Sequence, residues 1–233
     1  MNGNLVGVLG GMGPEATILL QQRLLRTVTP RDDADHIPLI IDMNPQIPSR
    51  IAHLIDGTGP DPAPTLARMA QRLEAAGATA LAMPCNTAHH YAPQIEEAVG
   101  IPLLNMVELS VAHAARIAPE GARAGMLASP AVQKTGVFDP ALARAGMTAL
   151  WPRNMDRLLE AIRGIKSAGA TAEARQALQD AADELSDRGA ACLFVACSEF
   201  SMLAPELQGA LPLVDTLDVL AWAIHDHSRN SAI

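Results

Sequence analysis

The chain has 233 residues, is 49% hydrophobic and carries a formal charge of -8, so it can bury a full core as one large domain or two small ones. That charge opposes binding to nucleic acid or an anionic membrane surface, and an aromatic content of 3% removes base-stacking platforms and most aromatic ligand boxes. Three cysteines without paired spacings, no charged-then-apolar leader before the first strand, and no apolar run near the roughly 20 residues of a membrane helix predict a cytoplasmic protein with reduced thiols.

Residues 5–9 are an apolar strand candidate that runs into Gly10, Gly11, Met12, Gly13 and Pro14, ahead of a predicted helix over 15–27. Glycines let the backbone turn tightly and approach a ligand, and proline suits a first helical position. The run lacks the GxGxxG spacing of a dinucleotide fingerprint, and no acidic residue stands at the end of a following strand to hold a ribose. A small anion is the better fit. A second strand over 38–43 opens into the proline-broken loop NPQIPSR, which ends in Arg50, and a helix over 65–76 follows. The third strand, 80–83, ends in Pro84 and presents Cys85, Asn86 and Thr87 ahead of a helix expected over 88–99.

Strand ends that open onto helix N-termini collect function in α/β sheets. A helix N-terminus also lowers a thiol pKa from its reference of about 8.5, which predicts that Cys85 ionises more readily than an average buried thiol. The competing reading is core packing, because free cysteine is among the most buried residue types. His89 and His90 are adjacent on the first helical turn and point apart, and nothing supplies further ligands at metal spacing, so no metal site is expected.

The pattern then repeats. GATALAMPC at 77–85 returns as GAACLFVAC at 189–197, an offset of 112 (197 minus 85). Val6-Gly7-Val8-Leu9 is echoed by Ala124-Gly125-Met126-Leu127 at 118 (125 minus 7), and Ile101-Pro102-Leu103-Leu104 by Leu211-Pro212-Leu213-Val214 at 110 (212 minus 102). Three landmarks in one order argue for an internal duplication. The expected fold is α/β: two similar domains with parallel-rich sheets flanked by helices, related by a pseudo-twofold axis, with the active site in the cleft between them. The first domain is assigned residues 1–100 with 212–233, the second 101–211. Cys85 and Cys197 then face one another, each followed by polar residues, Asn86-Thr87 and Ser198-Glu199. Cys192 lies inside a strand and reads as packing.

In the second half, the loop 128–131 with Ser129 stands at the position of the first glycine turn. A helix predicted over 155–166 leaves Lys166 near its end, where a lysine complements the helix dipole. Residues 172–188 read as an amphipathic packing helix, and 216–225 as a closing helix that returns to the first domain.

Two facing thiols suit inversion of a stereocentre by proton transfer, in which one base removes the α-proton and one acid returns a proton on the opposite face. Backbone N–H groups of Met12 and Gly13 and around Asn86, with the Thr87 and Ser129 hydroxyls, are placed to stabilise the developing carbanion. Lys166 lacks the phosphate-binding signature that a pyridoxal phosphate lysine would need, so no cofactor is expected.

GGMGPEAT, NPQIPSR, MPCNTAH, GIKSAG and the ACSE segment together resemble the aspartate/glutamate racemase family, the cofactor-independent amino-acid racemases of aspartate-racemase type. The resemblance runs through essentially the whole chain. It implies Cys85 and Cys197 as the two acid/base residues, with Asn86 and Thr87 on the α-carboxylate. Arg50 and Lys166 then bind the side-chain carboxylate of aspartate or glutamate. Met12, Gly13, Ser129, Ser198 and Glu199 complete the expected substrate-binding set, and the expected assembly is a homodimer. Two departures stand out: Ala196-Cys197-Ser198-Glu199 replaces GCTE, and Ser129-Pro130-Ala131-Val132 replaces a TxGT loop. The alternatives are a related cysteine-dependent isomerase or lyase acting on maleate, a hydantoin or a malonate, and a non-catalytic amino-acid-binding homologue.

Overall fold

The computed structural model describes residues 4–230. Among these, residues 4–106 with 217–230 form one compact unit and Val107–Thr216 a second.

In the first unit the chain runs through β1 (Val6–Gly10), α1 (Pro14–Leu25), β2 (Leu39–Met43), α2 (Ala63–Ala75), β3 (Ala80–Ala82), α3 (Ala92–Glu97) and β4 (Leu103–Leu104). The second begins with α4 (Met106–Ile117) and continues through β5 (Arg123–Ala128), α5 (Pro130–Thr135), α6 (Asp139–Arg144), β6 (Thr148–Leu150), α7 (Met155–Ala168), α8 (Ala172–Asp187), β7 (Cys192–Ala196), α9 (Ser198–Ser201) and β8 (Leu213–Asp215). The last helix, α10 (Thr216–Arg229), returns to the first unit. The sheet orders are β2-β1-β3-β4 and β6-β5-β7-β8, all neighbours parallel. Renumbered within each half, both read 2-1-3-4. Among the described residues no helix is long and apolar enough to cross a membrane.

Inner strands buried on both faces read as unbroken apolar runs, as parallel sheets require. Every residue of β1, β3 and β7 is buried, whereas the edge strand β2 is half-buried. Helices α2 and α8 present apolar stripes at helical spacing, Leu66, Met69, Ala70 and Leu73 in one and Ala174, Ala177, Leu178, Ala181 and Leu185 in the other.

The duplication extends to single contacts. A Cβ built on Gly7 would meet Leu73 Cβ at 2.9 Å, Ala78 Cβ at 3.0 Å and Leu81 Cδ2 at 3.2 Å. On Gly125 it would meet Leu193 Cδ2 at 2.7 Å, Ala190 Cβ at 3.1 Å and Leu185 Cβ at 3.2 Å. Two leucines and an alanine at equivalent positions crowd the same glycine in both halves, because in each a helix lies directly on the strand backbone.

Three expectations are corrected. Strand β4 bonds to β3, and β8 bonds to β7, so the boundaries drawn at 100 and 212 both fall too early. The helix expected over 88–99 is a 3-10 turn, Thr87–Tyr91, followed by α3 with Pro93 in its first turn. Proline lacks the N–H that would continue the preceding ladder. The loop expected over 128–131 instead starts α5, with Ser129 as its N-cap.

Candidate functional site

In the first unit the glycine turn joins β1 to α1. Gly11 has φ +94°, and a Cβ there would lie 2.8 Å from Pro45 N and against the Asn44 carbonyl, so only glycine fits. Its N–H donates to Thr17 Oγ1 at 3.0 Å, and that hydroxyl lies 3.3 Å from the Gly13 carbonyl it donates to. Thr17 therefore braces the turn, a role sequence reasoning missed because nothing in its spacing announces it. Gly13 is the N-cap of α1, and the Met12 side chain is buried.

Cys85 follows β3 and is 8% exposed, in an apolar cluster that also holds Leu9, Met12, Ile47 and Tyr91. A 3-10 turn follows it, where the start of an α-helix was expected. Asn86 is buried and Thr87 half-buried at the start of that turn.

His89 holds this loop. Its Nδ1 lies 2.9 Å from the Cys85 carbonyl, and its Nε2 lies 3.1 Å from Met106 N. The carbonyl can only accept and the amide only donate, so the ring is the Nδ1–H tautomer with its Nε2 lone pair occupied. Burial pushes its pKa down to about 4, which keeps it neutral near pH 7. Arg50 Nη1 donates to the Pro48 carbonyl at 3.0 Å and more weakly to that of Ile47 at 3.4 Å. No carboxylate among the described residues pairs with it.

In the second unit Cys197 follows β7 as the N-cap of α9 and is likewise 8% exposed. Its thiol donates to Glu199 Oε2 at 2.9 Å, and Lys166 Nζ lies 3.1 Å from the other oxygen, Glu199 Oε1. Burial pushes the Cys197 thiol well up, the Glu199 charge and hydrogen bond add to that, and Lys166 opposes it. A helix of one turn does not overcome these effects, so this thiol is held protonated rather than readied for ionisation.

Lys166, expected on a substrate carboxylate, has Glu199 as an ion-pair partner. Ser198 is buried beside Cys197. The Ser129 hydroxyl accepts from Val132 N at 3.4 Å, so this buried side chain caps α5. A 2.7 Å bond from Ser201 to Asp215 ties α9 to the end of β8. Cys192 is fully buried inside β7, where burial raises its pKa.

The first unit therefore clusters Met12 and Cys85, with Arg50 on the adjoining loop. The second clusters Cys197, Glu199 and Lys166. One thiol lies against apolar groups and the other is bonded to a carboxylate, so the two equivalent positions have unlike surroundings.

The Asp/Glu/Hydantoin racemase family matches residues 9–224. The chain is 24% identical over 234 residues to the broad specificity amino-acid racemase RacX of Bacillus subtilis (strain 168), across 93% of this chain and 95% of that one. Among solved structures it is similar to Picrophilus torridus aspartate racemase, with a TM-score of 0.85 at 23% identity over 96% of this chain and 94% of that one. It is also similar to glutamate racemase from Francisella tularensis subsp. tularensis SCHU S4 in complex with D-glutamate, with a TM-score of 0.68 at 13% identity over 97% and 81%. These structural likenesses speak for the fold, which is that of racemases built from two parallel four-stranded sheets flanked by helices. With the family match running from β1 into α10, the chain belongs to the Asp/Glu/Hydantoin racemase family.

Proposed function

We propose that this protein interconverts the enantiomers of an acidic amino acid, aspartate or glutamate, without an organic cofactor, using Cys85 and Cys197 as its two acid/base groups. The observation that carries this reading is the Cys197 thiol bonded to Glu199 at 2.9 Å, opposite in the repeat to a cysteine with no such carboxylate among the described residues. A two-base racemase starts each turnover with one thiol protonated and one ionised, and this asymmetry supports that division.

In the first direction the Cys85 thiolate takes the α-proton, and the Cys197 thiol gives its own proton to the opposite face of the planar carbanion. Cys85 ends as the thiol and Cys197 as the thiolate. The reverse direction exchanges the roles, with Lys166 limiting the repulsion between the Cys197 thiolate and Glu199. The α-carboxylate is assigned to Asn86, Thr87 and the backbone N–H groups of Met12 and Gly13, and the side-chain carboxylate to Arg50. The reading requires both thiols to reach one α-carbon. The resemblance further implies a homodimer, and the unpaired cysteine spacings of the sequence fit the cytoplasm.

Broader substrate choice is a second reading, favoured by the Lys166–Glu199 pair. A lysine already neutralised by the protein selects less strongly for a second substrate carboxylate than one held in reserve.

Solvent deuterium exchange tests the proposal. Either enantiomer of aspartate or glutamate should gain deuterium at the α-carbon, and Cys85→Ser and Cys197→Ser should each slow racemisation by about 100-fold or more. A folded protein that exchanges neither amino acid, or a serine variant with full racemisation, would overturn the two-cysteine mechanism.

A further inference from the structure

Tyr91 closes the 3-10 turn that begins just after Cys85, and its side chain is 3% exposed. Its ring belongs to the same apolar cluster as Cys85, Met12 and Ile47. His90 packs edge-on against it at 5.0 Å between ring centroids, and His53 lies tilted at 6.3 Å. The ring is therefore fixed from several sides. Its hydroxyl, however, has no hydrogen-bond partner among the described residues.

Buried tyrosine hydroxyls usually find a partner, and an orphaned one calls for an explanation. A phenylalanine would fill the same cluster without the desolvation penalty. What surrounds the hydroxyl suggests what it awaits. Burial, and after it the negative charge of Asp61, raises its pKa to about 12 against the opposing pull of Arg50, so it remains a hydrogen-bond donor throughout the working pH range. Arg50 is steadied by the carbonyls of its own loop and has no carboxylate partner among the described residues. A neutral donor and a cation near one catalytic thiol make a receptor for an anionic oxygen.

We propose that the Tyr91 hydroxyl is a specificity-determining group that, together with Arg50, receives the side-chain carboxylate of an acidic amino acid. The inference rests on the racemase reading above and deepens it by naming a second ligand for that carboxylate. Tyr91 donates one hydrogen bond to a carboxylate oxygen, and Arg50 supplies the countercharge. Asp61 accepts from Ala63 N at the start of α2 and repels the substrate carboxylate, which keeps that group on the tyrosine and arginine side.

The test is Tyr91→Phe, which keeps the ring and its packing. Affinities for L-aspartate and L-alanine are measured by titration calorimetry in both proteins, with racemisation kinetics and ligand-free melting in parallel. The variant should bind aspartate about tenfold more weakly, as expected for one lost hydrogen bond to a charged group, with alanine affinity unchanged. KM for aspartate should rise with kcat held within about twofold, and ligand-free Tm should be equal or higher, because an unsatisfied hydroxyl has been removed. Equal loss for both ligands, no loss for either, or a lower ligand-free Tm with unaltered discrimination would overturn the assignment. A wild-type protein that binds aspartate but racemises nothing would overturn the racemase reading alone, leaving the binding comparison to decide Tyr91. A wild-type protein that binds neither ligand would overturn both.

Discussion

Acidification from pH 7 to pH 5 should remove about 2 kcal/mol of stability through His89 alone. The imidazole has an ordinary pKa of 6.5 when unfolded and about 4 when folded, because burial disfavours its cation. Between those values the unfolded chain binds a proton that the folded chain refuses, so stability rises with pH across that window. The contribution is complete above pH 6.5, declines as pH falls toward 4, and levels off below. Weighing the two protonation equilibria at pH 7 and pH 5 gives the figure of about 2 kcal/mol, approaching ~3 kcal/mol at pH 4. Urea denaturation of the wild type and of His89→Gln at both pH values isolates it, since other titrating groups contribute alike to the two proteins. The variant should start about 1–3 kcal/mol lower at pH 7, having disturbed the bonds to the Cys85 carbonyl and Met106 N–H. It should then lose about 2 kcal/mol less on acidification. Parallel pH profiles for the two proteins would refute the claim that a neutral His89 is required.

Glu199→Gln should lower the Cys197 thiol pKa by removing the adjacent charge, which moves the alkaline limb of the kcat/KM profile downward by about one pH unit or more. A limb that stays in place would remove Glu199 from control of that thiol. Gly11→Ala should destabilise the fold by about 2 kcal/mol or more, since φ is +94° and the Asn44 backbone occupies the space a methyl group would need. An unchanged thermal midpoint would show that the turn can relax at little energetic expense.

The repeated strand endings made Cys85 and Cys197 legible in the sequence, because equivalent positions in a duplication carry information that one cysteine lacks. Gly7 and Gly125 were visible for the same reason. The hydrogen-bond partners were not. His89 acts through a carbonyl four residues back and an amide 17 residues ahead, and that second contact depends on how the chain returns after β4. Lys166 meets Glu199 across 33 residues (199 minus 166), so its position near a helix end suggested dipole complementation, and the family resemblance substrate binding, rather than an internal ion pair. Pro93 did announce the break before α3, but the Ala- and Glu-rich stretch around it carried the stronger helical pattern. The domain edges were misplaced because short strands such as β4 and β8 owe their sheet membership to pairing rather than to local composition.

The last helix bears on how the protein is made. Leu217, Leu220, Ala221 and Ile224 of α10 pack in one cluster with Val6 and Val8 of β1 and with Leu20 and Leu24 of α1. A ribosome delivers the first of these groups more than 190 residues after the others (217 minus 24). The second unit, by contrast, is one unbroken segment, Val107–Thr216, with its own apolar cluster. Although N-terminal domains generally fold first during synthesis, here the later-made unit can close while the earlier one still shows an uncovered apolar face. The nascent chain is therefore most exposed to aggregation or chaperone capture during the interval before α10 leaves the ribosome.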